Sequence, residues 1–264
     1  MPSHPEWSEV VVRRATPADV DFTARTHRQH LPHGLFPLLG DAFMRRWHAT
    51  YLDAPHGVAL VAVRADSTGD HRLGFLVGAV DQVAHVDHVV RHHRLHLGAV
   101  GALSLLVRPR LALHFLRTRA PSYLRRLTGR PAPTGPTGPA ASARPTHGDS
   151  GTGRDGRGDP VAVITAVVVT PDGRGAGVGA ALVAGFVARA RAAGTREAQL
   201  TTLAGTDGAG SFYEALGWRR GDVHPTRDGA LMATYHLPIH PSEPVPAHGA
   251  EQTHQEGTPL REQQ

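Results

Sequence analysis

Between Val161 and Gly179 an apolar, β-branched run leads directly into a glycine-rich segment, an order of residues suited to gripping a phosphate. Val161 to Val169 reads as a strand covered on both faces, and Thr170-Pro171-Asp172-Gly173 stops it. Arg174-Gly175-Ala176-Gly177-Val178-Gly179 then opens a periodic segment, Ala180 to Ala193, expected to be helical. A helix entry without side chains leaves its first backbone N–H groups facing outward. The helix dipole favours negative charge there, and Arg174 adds a cation. The chemistry predicted for this segment is pyrophosphate binding.

The elements that must position it can be read on either side. Glu9 to Arg14 reads as a first strand, and Thr16-Pro17-Ala18-Asp19 as a helix start with Thr16 at the N-cap and Pro17 at the first helical position. That helix is expected to run to about His30, where Leu31-Pro32-His33-Gly34 breaks it before a second helix from about Leu39 to Leu52. Gly57 to Arg64 and Leu73 to Val80 read as strands joined by the turn-rich stretch Asp66 to Asp70. Val83 to Leu97 and Gly98 to Arg119 read as helical, with a break near Pro109. Arg130 to Asp159, rich in Pro, Gly, Ser and Thr, reads as a disordered linker. Beyond the glycine-rich helix come a strand at Glu197 to Leu203, a short helix at Gly208 to Leu216, and a terminal hairpin of Arg219 to Val223 with Ala230 to Leu237. The order β-α-α-β-β, insert, β-α-β-α-β-β describes a mixed α/β sheet. The expected organisation is a flexible start (1–8), one domain (9–238) containing a helical insert (83–129) and the linker (130–159), and a mobile polar tail (239–264).

Composition bounds the remaining options. The chain has 264 residues, and its 40% hydrophobic content can supply a core, while 21 Pro and 30 Gly make the folded part shorter than the chain. The absence of cysteine excludes disulfides, thiolate zinc sites and a cysteine nucleophile. Met1 to Glu9 is polar and has no apolar signal-peptide core, so a cytoplasmic location is expected. All 28 basic residues are arginine, and ten of them fall between His88 and Gly148, where there is no Asp or Glu. Such a stretch could attract phosphate, nucleic acid or anionic lipid, or could form a solvated helical face whose arginine stems cover apolar neighbours.

The element order, together with Val169-Thr170-Pro171-Asp172-Gly173-Arg174-Gly175-Ala176-Gly177-Val178-Gly179, resembles the GNAT acetyltransferases. Their signature, Gln or Arg followed by x-x-Gly-x-Gly/Ala, is met by Arg174, Gly177 and Gly179. Ala209-Gly210-Ser211-Phe212-Tyr213-Glu214-Ala215-Leu216-Gly217-Trp218 is similar to their A-x-x-F-Y-E-x-L-G-F/W segment. The resemblance covers roughly residues 9 to 82 and 160 to 238. It implies a mixed, mostly antiparallel sheet flanked by helices, here with a basic helical insert between the third and fourth strands.

The resemblance further implies that acetyl-CoA lies in a splay between the strand ending at Val169 and the strand ending at Leu203. The pantetheine arm would pair with backbone groups of Val167, Val168 and Val169. The pyrophosphate would rest on the amides of Arg174, Gly175, Ala176, Gly177, Val178, Gly179 and Ala180. Transfer from a thioester to an amine needs a neutral amine, a polarised carbonyl and a proton for the departing thiolate. Tyr213 occupies the position of the family's usual acid, and the backbone N–H near Val169 is the implied polariser. Where relatives carry an Asn that holds the pantetheine, this chain has Thr206, either a substitute hydroxyl or a helix cap. The strand Val161 to Val169 offers Thr165 and no carboxylate where some relatives place a Glu, so the base must be water or a group from elsewhere; His85 and His88 are candidates. His88 and His92 share a helical face, as in an i,i+4 metal pair, but with no third ligand in view no metal is expected.

The acceptor amine, of a small molecule or a protein, is expected between His30 and Leu39, with Leu31, Leu35, Phe36 and Leu38 as apolar wall and His30 and His33 as polar edges. One alternative is a dinucleotide-binding fold, since Gly175-x-Gly177-x-x-Ala180 fits that fingerprint and Glu197 lies near the distance expected of its ribose-binding acid. Another is a non-catalytic acyl-CoA sensor or membrane-surface module, in which Leu97 to Leu116 would form a basic amphipathic element. Nucleic-acid binding is not expected, because the arginine-rich stretch lacks a reading motif.

Overall fold

The computed structural model describes residues 10–32, 34–66, 69–106, 159–205, 208–226 and 229–240. The elements in chain order are β1 (Val10–Arg14), a 3-10 turn (Pro17–Asp19), α1 (Val20–His30), α2 (Leu35–Leu38), α3 (Asp41–Asp53), β2 (Gly57–Asp66), β3 (Gly69–Ala79) and α4 (Gln82–Leu106). There follow β4 (Val161–Val169), a second 3-10 turn (Pro171–Gly173), α5 (Val178–Ala192), β5 (Glu197–Leu203), α6 (Gly210–Ala215), β6 (Arg219–Pro225) and β7 (Leu231–Pro238). The strands form one seven-stranded sheet in the order β1-β2-β3-β4-β5-β7-β6, antiparallel throughout except for the parallel pair β4–β5.

Two apolar layers sandwich the sheet. On one face α5 lays Val178, Leu182, Val183, Phe186 and Ala190 over Leu60, Leu76, Ala162 and Ile164, and this layer continues to Tyr213, Trp218 and Tyr235. On the other, Tyr51 from α3 joins Ala59, Val61, Val63, Phe75, Val77, Ala166 and Val168. Glycines in β3 make the first layer possible, since a Cβ at Gly78 would lie 2.8 Å from Phe186 Cε2 and 2.5 Å from the Val163 carbonyl oxygen.

Most of the expected elements are present, with physical differences at their edges. The break between the first two helices contains a turn of its own, α2, bracketed by Gly34 (φ 96°) and Gly40 (φ 93°), conformations that only glycine adopts without strain. Gly98 does not interrupt α4, because it sits at an exposed position. The expected break near Pro109, the linker and the flexible start fall outside the described residues. The core extends past the boundary read at Pro238, since Ile239 is buried and its amide donates to the Arg196 carbonyl at 2.7 Å.

The capping signal at Thr16 has a larger role than ending a helix. The carboxylate of fully buried Asp19 accepts from Arg13 (2.8 Å), Arg72 (2.7 Å) and the Thr16 amide (2.8 Å), joining β1, β3 and the first turn. Burial by itself would raise the pKa of Asp19, but the bonds from Arg13, Thr16 and Arg72 outweigh it and hold the group well below the usual carboxylate range. A carboxyl depressed in this way stabilises the fold above about pH 4, and the contribution is lost as pH falls toward its folded value. Asp19→Asn should therefore cost about 3 kcal/mol at pH 7 by urea denaturation. The gap to wild type should narrow steadily when the measurement is repeated toward pH 2.

Candidate functional site

The loop after β4 is fixed to the sheet. The Thr170 amide and hydroxyl both donate to the Leu73 carbonyl, at 2.9 and 3.0 Å, and Gly173 is buried against Leu73. From there the chain turns through Gly175 (φ 74°) and Gly177 (φ 73°), the latter serving as N-cap of α5. A Cβ at either glycine would meet no protein atom within 4 Å, so what these positions require is left-handed backbone beside open space. Gly179 differs: its Cβ would lie 3.1 Å from Phe212 Cζ and 3.5 Å from Val169 Cγ2, so a side chain there would press on the Phe212 ring.

The free amides begin one residue later than expected. The Arg174 amide donates to the Pro171 carbonyl at 3.2 Å, closing the 3-10 turn, and its exposed side chain alone remains to serve an anion. Among the described residues, the amides of Gly175, Ala176, Gly177, Val178, Gly179 and Ala180 have no acceptor, and Gly177 has no side chain to cap them. Six main-chain donors over one turn and a helix entry form a positively polarised surface.

β4 and β5 separate beside this surface. They pair only from Val161 to Ile164 against Glu197 to Leu200, whereas β4 runs on to Val169 and β5 to Leu203. β5 stays paired to β7 along its whole length, so the gap opens between the two parallel strands. Its apex coincides with an irregularity in β4: Val77 faces Ala166 and Gly78 faces Ile164, leaving Thr165 as an extra residue. The bulge shifts the alternation of side chains. Ala162 and Ile164 face α5, whereas Ala166 and Val168 face α3. Val167, Val168 and Val169 thus lie along the open stretch, keeping β3 on one side and having no strand on the other.

Tyr213 arrives from α6. Its neighbour Phe212 touches Gly179, so the ends of β4, α5 and α6 meet at one point. Tyr213 is buried among Trp218, Tyr235 and Phe212, and burial pushes its phenol up to about 12. α6 is held by Tyr235, whose hydroxyl donates to Glu214 at 3.2 Å, and by the Ala209 amide, which reaches Thr202 Oγ1 at 3.4 Å. A Cβ at Gly210 would lie 2.4 Å from the Tyr235 hydroxyl. Gly210→Ala should therefore displace α6 and lower stability by about 1–2 kcal/mol, read from the thermal midpoint.

Other expectations fare differently. Thr206 and His33 lie outside the described residues. Leu35 is core rather than acceptor wall, packed with Leu39 and Phe43 under Leu97 and Val100 of α4, while Leu38 is exposed. The His88 and His92 rings lie 4.4 Å apart, yet among the described residues no three ligating side chains gather that could hold a metal ion. His88 is half-buried and His85 is buried. Glu197 bonds Gln199 and His236 rather than facing the glycines, and among the described residues the sheet contains a single parallel pair, which does not suit a dinucleotide-binding fold. No helix among the described residues is long and apolar enough to cross a membrane. The contact of Tyr51 with Thr165, at 3.2 Å, had no signal in the sequence.

Residues 141–218 match the family described as Acetyltransferase (GNAT) family. No curated protein matches the chain in sequence. Among solved structures, Arabidopsis thaliana NAA60 in complex with acetyl-CoA is similar with a TM-score of 0.50 at 14% identity, covering 88% of this chain and 99% of that one. The same protein in complex with a bisubstrate analogue gives 0.50 at 14% identity, covering 89% and 100%. Ard1 from Thermoplasma volcanium gives 0.47 at 15% identity, covering 88% and 98%.

Proposed function

From the GNAT fold, and from residues 141–218 that match the GNAT acetyltransferase family, we propose that this chain is an N-acetyltransferase. It moves an acetyl group from acetyl-CoA to an amine by direct attack on the thioester. The observation that carries this reading is the run of unpaired amides from Gly175 to Ala180 opening onto the gap between β4 and β5. An anion on those amides and an amide-bearing arm along Val167, Val168 and Val169 would satisfy donors and acceptors that the protein leaves open. The exposed Arg174 side chain adds charge to the diphosphate, and a hydroxyl at Thr206 would assist the arm.

Tyr213 supplies the proton for the departing thiolate. Its raised pKa keeps the phenol protonated at neutral pH, the form that can donate. A backbone N–H at the end of β4, near Val169, polarises the carbonyl. The acceptor is a small-molecule or protein amine, and none of these steps calls for a metal.

Calorimetry with CoA and with acetyl-CoA, followed by thiol release across polyamines and peptides with free amino termini, tests the proposal. Binding with amine-dependent thiol release is expected. Binding without release from any amine would mark a non-catalytic acyl-CoA sensor, and no heat with either coenzyme would remove the reading altogether.

A further inference from the structure

The β4 bulge carries a polar cluster on the face of the sheet opposite Tyr213. The Tyr51 hydroxyl from α3 donates to Thr165 Oγ1 at 3.2 Å, at the point where β4 and β5 part. The His85 ring, from the first turn of α4, stacks on Tyr51 with centroids 4.5 Å apart and planes within 21°. His85 is 3% exposed. Its Nδ1 and Gln82 Oε1, one turn away on the same helix, are buried without a hydrogen-bond partner among the described residues. Two orphaned polar atoms one helical turn apart call for a ligand group to pair them. The Thr165 oxygen, already accepting from Tyr51, keeps its own hydroxyl proton free to point onward.

Resting on the acetyltransferase reading, we propose that His85 is the general base, taking the proton from an acceptor amine seated at the Thr165 bulge. An arm entering over Gly175 to Ala180 and running back along Val169, Val168 and Val167 presents its thioester next to that bulge. Tyr213 belongs to the α5 layer and Tyr51 to the α3 layer, so donor and acceptor meet from opposite faces through the gap. As the nitrogen forms its bond to the acetyl carbon, the carbon–sulfur bond breaks. The nitrogen's proton passes to His85 and the sulfur takes one from Tyr213, and both residues are restored by exchange with water. Burial, reinforced by His88, His56 and His93, lowers His85 to about 4, so the ring is neutral at physiological pH and its nitrogens are not both already protonated.

The test uses the full-length protein and the amine giving the fastest thiol release in the panel above. His85→Phe keeps an aromatic ring on Tyr51 and removes both nitrogens. It should bind acetyl-CoA as wild type does, with turnover reduced about 100-fold or more. His85→Ala should be equally slow and should regain rate with added imidazole, a response that loss of packing would not give. Turnover of His85→Phe within about threefold of wild type would overturn the proposal. If that variant does not fold, a coenzyme-binding His85→Ala that imidazole fails to accelerate overturns it equally. Wild-type protein that binds no acetyl-CoA defeats the underlying reading, and this one with it.

Discussion

Tyr213→Phe is expected to lower turnover by about 10²–10⁴-fold while acetyl-CoA affinity and thermal midpoint stay near wild type. The substitution keeps the ring that packs on Trp218 and Tyr235, so the buried layer loses no contact area. It removes only a hydroxyl, for which no hydrogen-bond partner is found among the described residues. A group with no structural bond and a raised pKa suits a donor that acts late, when the thiolate leaves. Steady-state kinetics paired with calorimetry decides the matter: undiminished turnover would strip Tyr213 of the acid role. A matching loss of coenzyme binding would make it a packing residue instead.

The second large effect is expected at Gly177. At φ 73° a β-branched residue is badly strained, and a Cβ there enters the open space that the free amides face. Gly177→Val should therefore weaken acetyl-CoA binding about 100-fold or more, the loss of two hydrogen bonds to a charged group at about 1.5–3 kcal/mol each. The free protein should lose only the backbone strain, about 1–2 kcal/mol. Gly179→Val offers a contrast, since its Cβ comes within 3.1 Å of Phe212 Cζ and must push that ring aside, so that variant should lose thermal stability as well as binding. Calorimetry and thermal denaturation on both variants separate an open cradle from a packing requirement. Equal coenzyme affinity in Gly177→Val and wild type would contradict the cradle.

The backbone plan was readable because its signals are local. Val161 to Val169 is a β-branched run with a Pro-Gly stop, and the glycines after it mark a conformation as well as a helix start. The Thr16-to-Asp19 capping pattern is likewise local, but nothing local signals that Arg72, 53 residues away, completes it. What could not be read depends on contacts between distant segments. The bulge at Thr165 is a matter of register against β3, and an unbroken run of small and branched apolar residues looks the same with or without it. Tyr51, His85 and Thr165 come from α3, α4 and β4 and meet only when the layers close. From sequence Leu35 looks like cleft wall, because the covering of α2 and α3 by α4 is a tertiary fact.

Among the described residues, the four-residue pairing of β4 with β5 is the only ladder joining the first four strands to the last three. α5 rests mainly on β1 to β4 and α6 on β6, and across the seam run the shared apolar layer, the contact of Phe212 with Gly179 and the bond from the Thr195 hydroxyl to the Val80 carbonyl. The gap thus opens beside the shortest ladder among the described residues. An occupant lying along it would act as a surrogate strand, making the rigidity of the whole sheet depend on whether the seam is filled.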